Sequence, residues 1–335
     1  MDGLRGIAAL AVFFHHAFFT SIDPLVWPAA YRPIIALSHF GQYGLDLFFV
    51  LSGYLITSIL IASRARADYF RRFYVNRFTR ILPIYLIVLL GVLAFVPGSA
   101  AYVALSALFI ANFAQLFHVA SAIGPFWTLA IEEQFYLGWP FLVRACPTGR
   151  LRRIAVGILI AEPLLRLADI AIGHHNFHFT FFHLDGLALG ALLACRPATR
   201  RSAPWRTVAV PFIAGAVGYA LSRHEFGVPY LDAPIEALQL TSISLMGYAV
   251  VDSAEAMRWL GLPVLVFFGQ ISYALYLIHL YMFMAFDALF GPIVGVEPGP
   301  LAIRLIAVLI VTVILCVISR RLIELPAMSL RKRFV

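Results

Sequence analysis

The sequence predicts an all-α fold, a polytopic membrane helix bundle of about ten transmembrane helices with both termini cytoplasmic. Three observations predict it: composition, the length of the apolar runs and the placement of the arginines. Of 335 residues, 62% are apolar and 13% charged, against about 45–50% and about 25% in a soluble globular chain. The mean hydropathy is +0.89. Such a chain is neither disordered, which requires low hydrophobicity, nor a disulfide scaffold, which requires many cysteines in a short chain. Its cysteines, Cys146, Cys195 and Cys316, are odd in number and lack metal-ligand spacing, so they read as reduced bystanders.

The first apolar run, 6–19, follows Arg5 and superficially resembles a secretory signal. It carries His15 and His16 and has no small-residue cleavage site after it, so it reads as a mature first span. Further runs fall at about 44–63, 81–97, 127–143, 154–172, 181–195, 207–222, 236–253, 262–286 and 301–319. The apolar segment 101–117 competes as an eleventh. The arginines decide, because short basic loops stay cytoplasmic. With ten spans, every one of the 25 basic residues except Arg32, Arg166, Arg223 and Arg304 falls on the cytoplasmic side. A further crossing would throw the Arg144 and Arg196 clusters outside. The segment 98–126 is therefore read as re-entrant or interfacial, and 65–79, where arginines alternate with aromatics, as a cytoplasmic amphipathic helix. The same arginine pattern explains a net charge of +8 without nucleic acid. No linker, low-complexity tract or internal repeat divides the chain, so residues 1–335 form one membrane domain.

Ionisable groups inside spans are costly and point into the bundle or a wet cavity. Arg5 and His16, eleven residues apart, share one helical face, roughly 16 Å apart along the axis. An anionic ligand held at Arg5 could reach inward to the His16 imidazole, whose ordinary pKa of ~6.5 suits proton removal. The alternative is a buried histidine bonded to a neighbouring helix. Arg77 and Arg80, just before Pro83, could fork a phosphorylated ligand or anchor the chain at the membrane surface. Glu132 shares a face with Tyr136, while the adjacent Glu133 points elsewhere. Ser272, Tyr276 and His279 form a polar stripe, either an interhelical seam or a cavity wall. Asp46 lies near Ser52 and Tyr54 on the second span, and Asp185 opens the run 181–195.

Six blocks in order, DGLRGIAALAVFFHH, GLDLFFVLSGYLIT, FYVNRFTRILPIY, WTLAIEEQFYLGWP, LDGLALGALLA and SYALYLIH, resemble those of the integral-membrane acyltransferases of the acyltransferase-3 type. The resemblance implies transfer of an acyl group, usually acetyl, from cytoplasmic acyl-CoA to a hydroxyl of a carbohydrate or glycoconjugate on the other side of a bacterial plasma (inner) membrane. It implies His16 as base or acyl carrier, with Glu132 orienting it or the acceptor. It places Arg5, Arg77 and Arg80 on the donor, with Ser52 and Tyr54 beside it. Asp46, Glu133, Tyr136, Asp185, Ser272, Tyr276 and His279 are expected to support the acceptor or the site. Many family members carry an Arg where this chain has His183. No bound cofactor or metal is expected, the partners being the lipid bilayer, donor and acceptor, with no appended soluble domain. The thioester end of the donor should reach His16 through one continuous cleft. The rival class is a transporter or flippase without acyl chemistry, which would place polar groups at mid-membrane equally well; its usual inverted repeats and paired broken helices are missing from the sequence.

Because a lysine cannot reproduce the guanidinium fork, Arg77→Lys is expected to raise the apparent KM for acyl-CoA by about tenfold, a loss of about 1.4 kcal/mol of binding. Steady-state kinetics with varied donor measure this.

Overall fold

The computed structural model describes residues 1–19, 34, 38, 40–119, 124–172, 178–196, 210, 213–214, 217, 229–254, 257–291, 293 and 298–331. Among them every regular element is helical. The helices are α1 (Asp2–Phe19), α2 (Gly44–Ser63), α3 (Tyr69–Phe95), α4 (Ala100–Ala107), α5 (Phe126–Ala145), α6 (Thr148–Ala171), α7 (Leu184–Ala194), α8 (Pro229–Ser253), α9 (Pro263–Phe290), α10 (Pro298–Ser319) and α11 (Leu325–Leu330). A π-helical turn, Arg320–Glu324, joins the last two. Four helical stretches are long and apolar enough to cross a membrane: Gly41–Ser63, Tyr69–Phe95, Pro263–Phe290 and Gly299–Leu330. Helices α1, α5 and α6 are not among those four. The apolar run 207–222 lies outside the described residues except at 210, 213–214 and 217, and Arg32, Arg200, Arg201, Arg206 and Arg223 lie outside them altogether.

Two elements differ from the sequence reading. The basic stretch 65–79 and the apolar run 81–97 are one helix, α3, rather than a surface helix followed by a span. The cause is one continuous buried stripe, Tyr69, Phe73, Ile81, Ile84, Tyr85, Leu89 and Val92, at the three- and four-residue steps of a helix face. Arg77 and Arg80 fall on or beside that stripe and turn inward with it, whereas Arg71 and Arg72 are exposed. Pro83 lies inside the helix, where it removes the bond to the Thr79 carbonyl. The segment 98–126 holds the eight-residue α4 and a 3₁₀ stretch, Ala111–Phe117. Each is far shorter than the roughly 20 residues a crossing helix needs.

Helix α1 packs most extensively along α9, and glycines let the two backbones touch. A methyl group on Gly6 would run into the Leu265 carbonyl oxygen, and one on Gly269 into that of Asp2. Between α2 and α7 the same service is done by Gly53 and Gly190, which face the backbones at Leu187 and Val50. Small residues at such crossings are how helices associate where lipid offers no hydrophobic gain. A core cluster including Phe13, Tyr85, Phe126, Leu275 and Phe283 joins α1, α3, α5 and α9.

Buried charge is neutralised locally. Arg166, within α6, ion-pairs with Glu162 one turn earlier and with Asp185 at 3.3 Å. It also donates to the Phe182 carbonyl at 2.7 and 3.0 Å. Ser244 on α8 donates to the other side of the cluster, Asp185 Oδ2, at 2.8 Å. Gln134 on α5 tethers the 3₁₀ stretch by donating to the Phe109 carbonyl at 2.7 Å and to Asn112 Oδ1 at 2.9 Å. Phe109 is held there at φ 55°, a backbone region that costs a non-glycine residue about 1–3 kcal/mol.

Overpacking at a backbone contact costs roughly 1–3 kcal/mol. Gly269→Ala is thus expected to lower the melting temperature of the detergent-solubilised protein. Gly138→Ala, where an added methyl meets nothing within 4 Å, should leave it unchanged or raise it slightly.

Candidate active site

A cavity of about 290 Å³ lies between α1, α2, α3, α5 and α9. Its polar lining comprises Asp2, Arg5, Ser52, Arg77, Arg80, Thr128, Glu132, Tyr136, Ser272, Tyr273 and Tyr276. Arg5, Arg77 and Arg80 face one another across it from α1 and α3. The first turn of α1 brings Arg5, and the buried stripe of α3 brings the other two. Four carboxylates, Asp2, Glu132, Glu133 and Glu324, are within electrostatic reach of this trio. Ser52 Oγ donates to Glu132 Oε1 at 2.6 Å, fixing the carboxylate between α2 and α5. The Arg77 guanidinium lies 4.3 Å from the centroid of the Tyr136 ring. Its Nε is buried without a hydrogen-bond partner, a costly vacancy that an anionic oxygen would fill. Glu132 therefore lines the arginine end of the site.

Phe48, Thr128 and Tyr276 line the cavity together. Thr128 Oγ1 donates to the Pro125 carbonyl at 2.8 Å. Its one proton is thereby committed, so in the 2.5 Å contact between the two hydroxyls Tyr276 is the donor. The phenol proton is spoken for and does not point at a reacting oxygen. Beyond this latch, the His279 ring centroid is 6.0 Å from that of Tyr276 and 5.0 Å from that of His16. His16 does not line the arginine-rich cavity, contrary to the single cleft expected from the sequence. Two aromatic rings from α9 stand in between. A single helix spacing could not reveal this, because the intervening groups come from the other end of the chain.

The two imidazoles are joined in a defined order. His279, fully buried, places Nδ1 2.9 Å from the Leu275 carbonyl. A carbonyl only accepts, so this nitrogen carries the proton and His279 Nε2 carries a lone pair. His16 Nδ1 lies 3.0 Å from that lone pair and 3.1 Å from the Val12 carbonyl. Both neighbours are acceptors, so His16 is protonated on Nδ1 and its basic lone pair is on Nε2. The pairing of neutral rings thus selects the tautomer and fixes the ring plane of His16.

The remaining expected residues lie elsewhere. Asp46 and Asp185 belong with Arg166 in the buried charge cluster of α2, α6 and α7. Tyr54 packs toward Val50 and Leu189, away from the cavity, because the crossing at Gly53 and Gly190 turns that face of α2 to α7. Glu133 is buried beside the cavity rather than in its wall. His183 packs on Trp127 and Phe49 with ring centroids at 5.4 and 6.1 Å. The guanidinium at that corner comes from Arg166. Thr128 and Asp2 were not singled out from the sequence; Thr128 stands between Trp127 and the carboxylate pair, where its spacing to Glu132 was the available signal. Among the described residues no group of three or more His, Cys, Asp or Glu side chains is placed to hold a metal ion.

The three guanidinium groups make the cavity receptive to an anion. Residues 1–321 match the acyltransferase domain that defines the acyltransferase-3 family, and the chain belongs to that family. It is similar to the putative peptidoglycan O-acetyltransferase YrhL of Bacillus subtilis, 33% identical over 190 residues, 51% of this chain and 26% of YrhL. The peptidoglycan O-acetyltransferase OatA of Listeria monocytogenes is 33% identical over 162 residues, 42% of this chain and 23% of the relative. The O-acetyltransferase OatA of Staphylococcus aureus is 26% identical over 367 residues, 97% of this chain and 56% of that protein. The chain thus spans from about a quarter to just over half the length of these relatives. No solved structure matches it.

Replacing His279 by Leu removes the bond from His16 Nδ1 across to α9 and keeps the one to the Val12 carbonyl in its own helix. Turnover is expected to fall by at least about tenfold, with an unchanged melting temperature. A turnover number equal to that of the parent protein would show that the second ring does not orient the first.

Proposed function

We propose that this protein is an integral-membrane O-acyltransferase that moves an acyl group, acetyl in the first instance, from acyl-CoA to a hydroxyl of a carbohydrate acceptor. The observation that carries the reading is the cavity of a chain in the acyltransferase-3 family, where three guanidinium groups converge and the buried Nε of Arg77 lacks an acceptor. Phosphate oxygens of the donor pair with Arg5, Arg77 and Arg80 through forked, charge-assisted hydrogen bonds. Its pantetheine arm lies along the apolar wall, which includes Leu45, Phe48, Leu55 and Ile81. The thioester reaches the histidine pair once the Tyr276–Thr128 hydrogen bond opens.

There His16 Nε2 takes the proton of the acceptor hydroxyl as its oxygen attacks the thioester carbonyl. The resulting imidazolium keeps Nδ1–H on His279 Nε2, which holds its orientation through the step. Collapse of the tetrahedral intermediate breaks the C–S bond. The proton on His16 passes to the departing thiolate, so the step consumes no net acid or base. The peptidoglycan acetyltransferases among the relatives support a bacterial glycan as acceptor. The placement of Arg5 and His16 toward opposite ends of α1 supports donor entry from one face of a multi-pass, inner-membrane protein and acceptor entry from the other.

The test is release of free CoA thiol by purified protein given acetyl-CoA and a peptidoglycan fragment. Wild type is expected to release thiol with stoichiometric acetylation of the glycan, and His16→Ala to release none while remaining folded. Thiol release by His16→Ala at the wild-type rate overturns the assignment of the base.

A further inference from the structure

On α9 the residues His279, Phe283 and Asp287 follow one another at four-residue steps, so they form one stripe along the helix. That stripe meets Phe13, His16 and Ala17 of α1. The Phe283 ring centroid is 5.1 Å from that of Phe13, which in turn is 6.1 Å from that of His279. Arg304 of α10 closes the far end. Its Nε and one terminal nitrogen fork the Asp287 carboxylate at 2.8 and 2.7 Å. The other terminal nitrogen donates to the Ala17 carbonyl at 2.8 Å. The guanidinium carbon lies 4.6 Å from the Phe283 ring centroid, and Arg304 is 1% exposed.

The chemistry of these contacts is directional. Ala17 lies in the last described turn of α1, Asp2–Phe19, one residue after His16, and its carbonyl accepts a charge-assisted bond from Arg304. Because the guanidinium is planar, its two forked bonds to Asp287 fix the direction in which the third N–H points. The clamp therefore ties the last turn of α1, one residue from His16, to the helix that carries His279. The two rings sit on different helices, and their 3.0 Å contact depends on the relative height and rotation of those helices. The arginine cavity at the other end of α1 makes no contact with this joint.

We infer that Arg304, held by Asp287, is a positioning residue that sets His16 against His279 by tying the Ala17 carbonyl of α1 to α9. This rests on the proposed role of His16 as base. A displacement of about 1 Å at a reacting group can lower the rate about 10²-fold, so a loosened joint appears in turnover and not in donor binding.

The experiment compares Arg304→Gln, Arg304→Lys and Asp287→Asn with wild type in the full-length, detergent-solubilised protein. Arg304→Gln is expected to lower kcat per folded molecule by about ten- to a hundredfold, with KM for acetyl-CoA unchanged within about twofold. Arg304→Lys, which retains the charge and a bond to Ala17, should recover part of that loss. If Arg304→Gln does not fold, Asp287→Asn decides, since it frees the guanidinium while leaving a polar partner; a several-fold fall in kcat is expected. A readout independent of activity is ¹⁵N NMR of imidazole-labelled protein, in which the coupling across the His16–His279 hydrogen bond should vanish in Arg304→Gln. Unchanged kcat in the folded variants, a loss confined to KM, or a persisting coupling overturns the inference. If wild type releases no thiol while the coupling still disappears in the variant, the clamp stands and the acyl-transfer reading fails.

Discussion

The close approach of α1 to α9 is the constraint on which the rest of the site depends. Gly6 and Gly269 let the two backbones meet, and each helix then contributes to both ends of the site. Helix α1 brings Arg5 to the cavity and His16 beyond it; α9 brings Ser272 and Tyr276 to the cavity and His279 to His16. In a hydrocarbon solvent there is no hydrophobic gain from pressing two apolar helices together. Backbone proximity and buried hydrogen bonds must do it. The carbonyl of Leu275, the two imidazoles and the carbonyl of Val12 form a chain of such bonds spanning the seam.

Charge within the bundle divides into two kinds. The Arg166 and Arg304 groups are each 1% exposed and closed by carboxylates and carbonyls. These arrangements lock helices, and removing one partner from such a pair leaves an expensive bare charge. The arginines of the cavity are different. They come from two helices, face open volume, and leave a buried nitrogen of Arg77 without an acceptor. Stability does not account for keeping like charges together around a void, whereas recognition of an anion does.

Much of this was legible in the chain itself. The Arg5 and His16 spacing placed them on one face of a helix, and Arg77 and Arg80, one turn apart just before Pro83, stood out as candidates to turn inward, with a surface anchor as the alternative. The polar stripe of Ser272, Tyr276 and His279 was visible, though its division between cavity wall and histidine partner was not. Whether Glu132 faces His16 or the acceptor was open in the sequence, because spacing says nothing about which of two distant helices a side chain meets; the structure places it in the cavity wall beside Ser52. The basic stretch 65–79 was separated from its span because charge and aromatics there suggest a surface helix, while the buried stripe runs through both.

What the sequence by itself determined is the membrane character, the helical periodicity and the presence of rare ionisable groups in apolar runs. These are local properties, since hydropathy and a 3.6-residue repeat are read over one or two turns. Tertiary structure alone decided which of those groups meet. It put Glu132 with the arginines, His279 against His16, Arg166 at the Asp185 corner and Tyr276 against Thr128. Such pairings join residues up to 263 positions apart, and they depend on helix rotation and backbone approach, which many sequence-distant contacts set together.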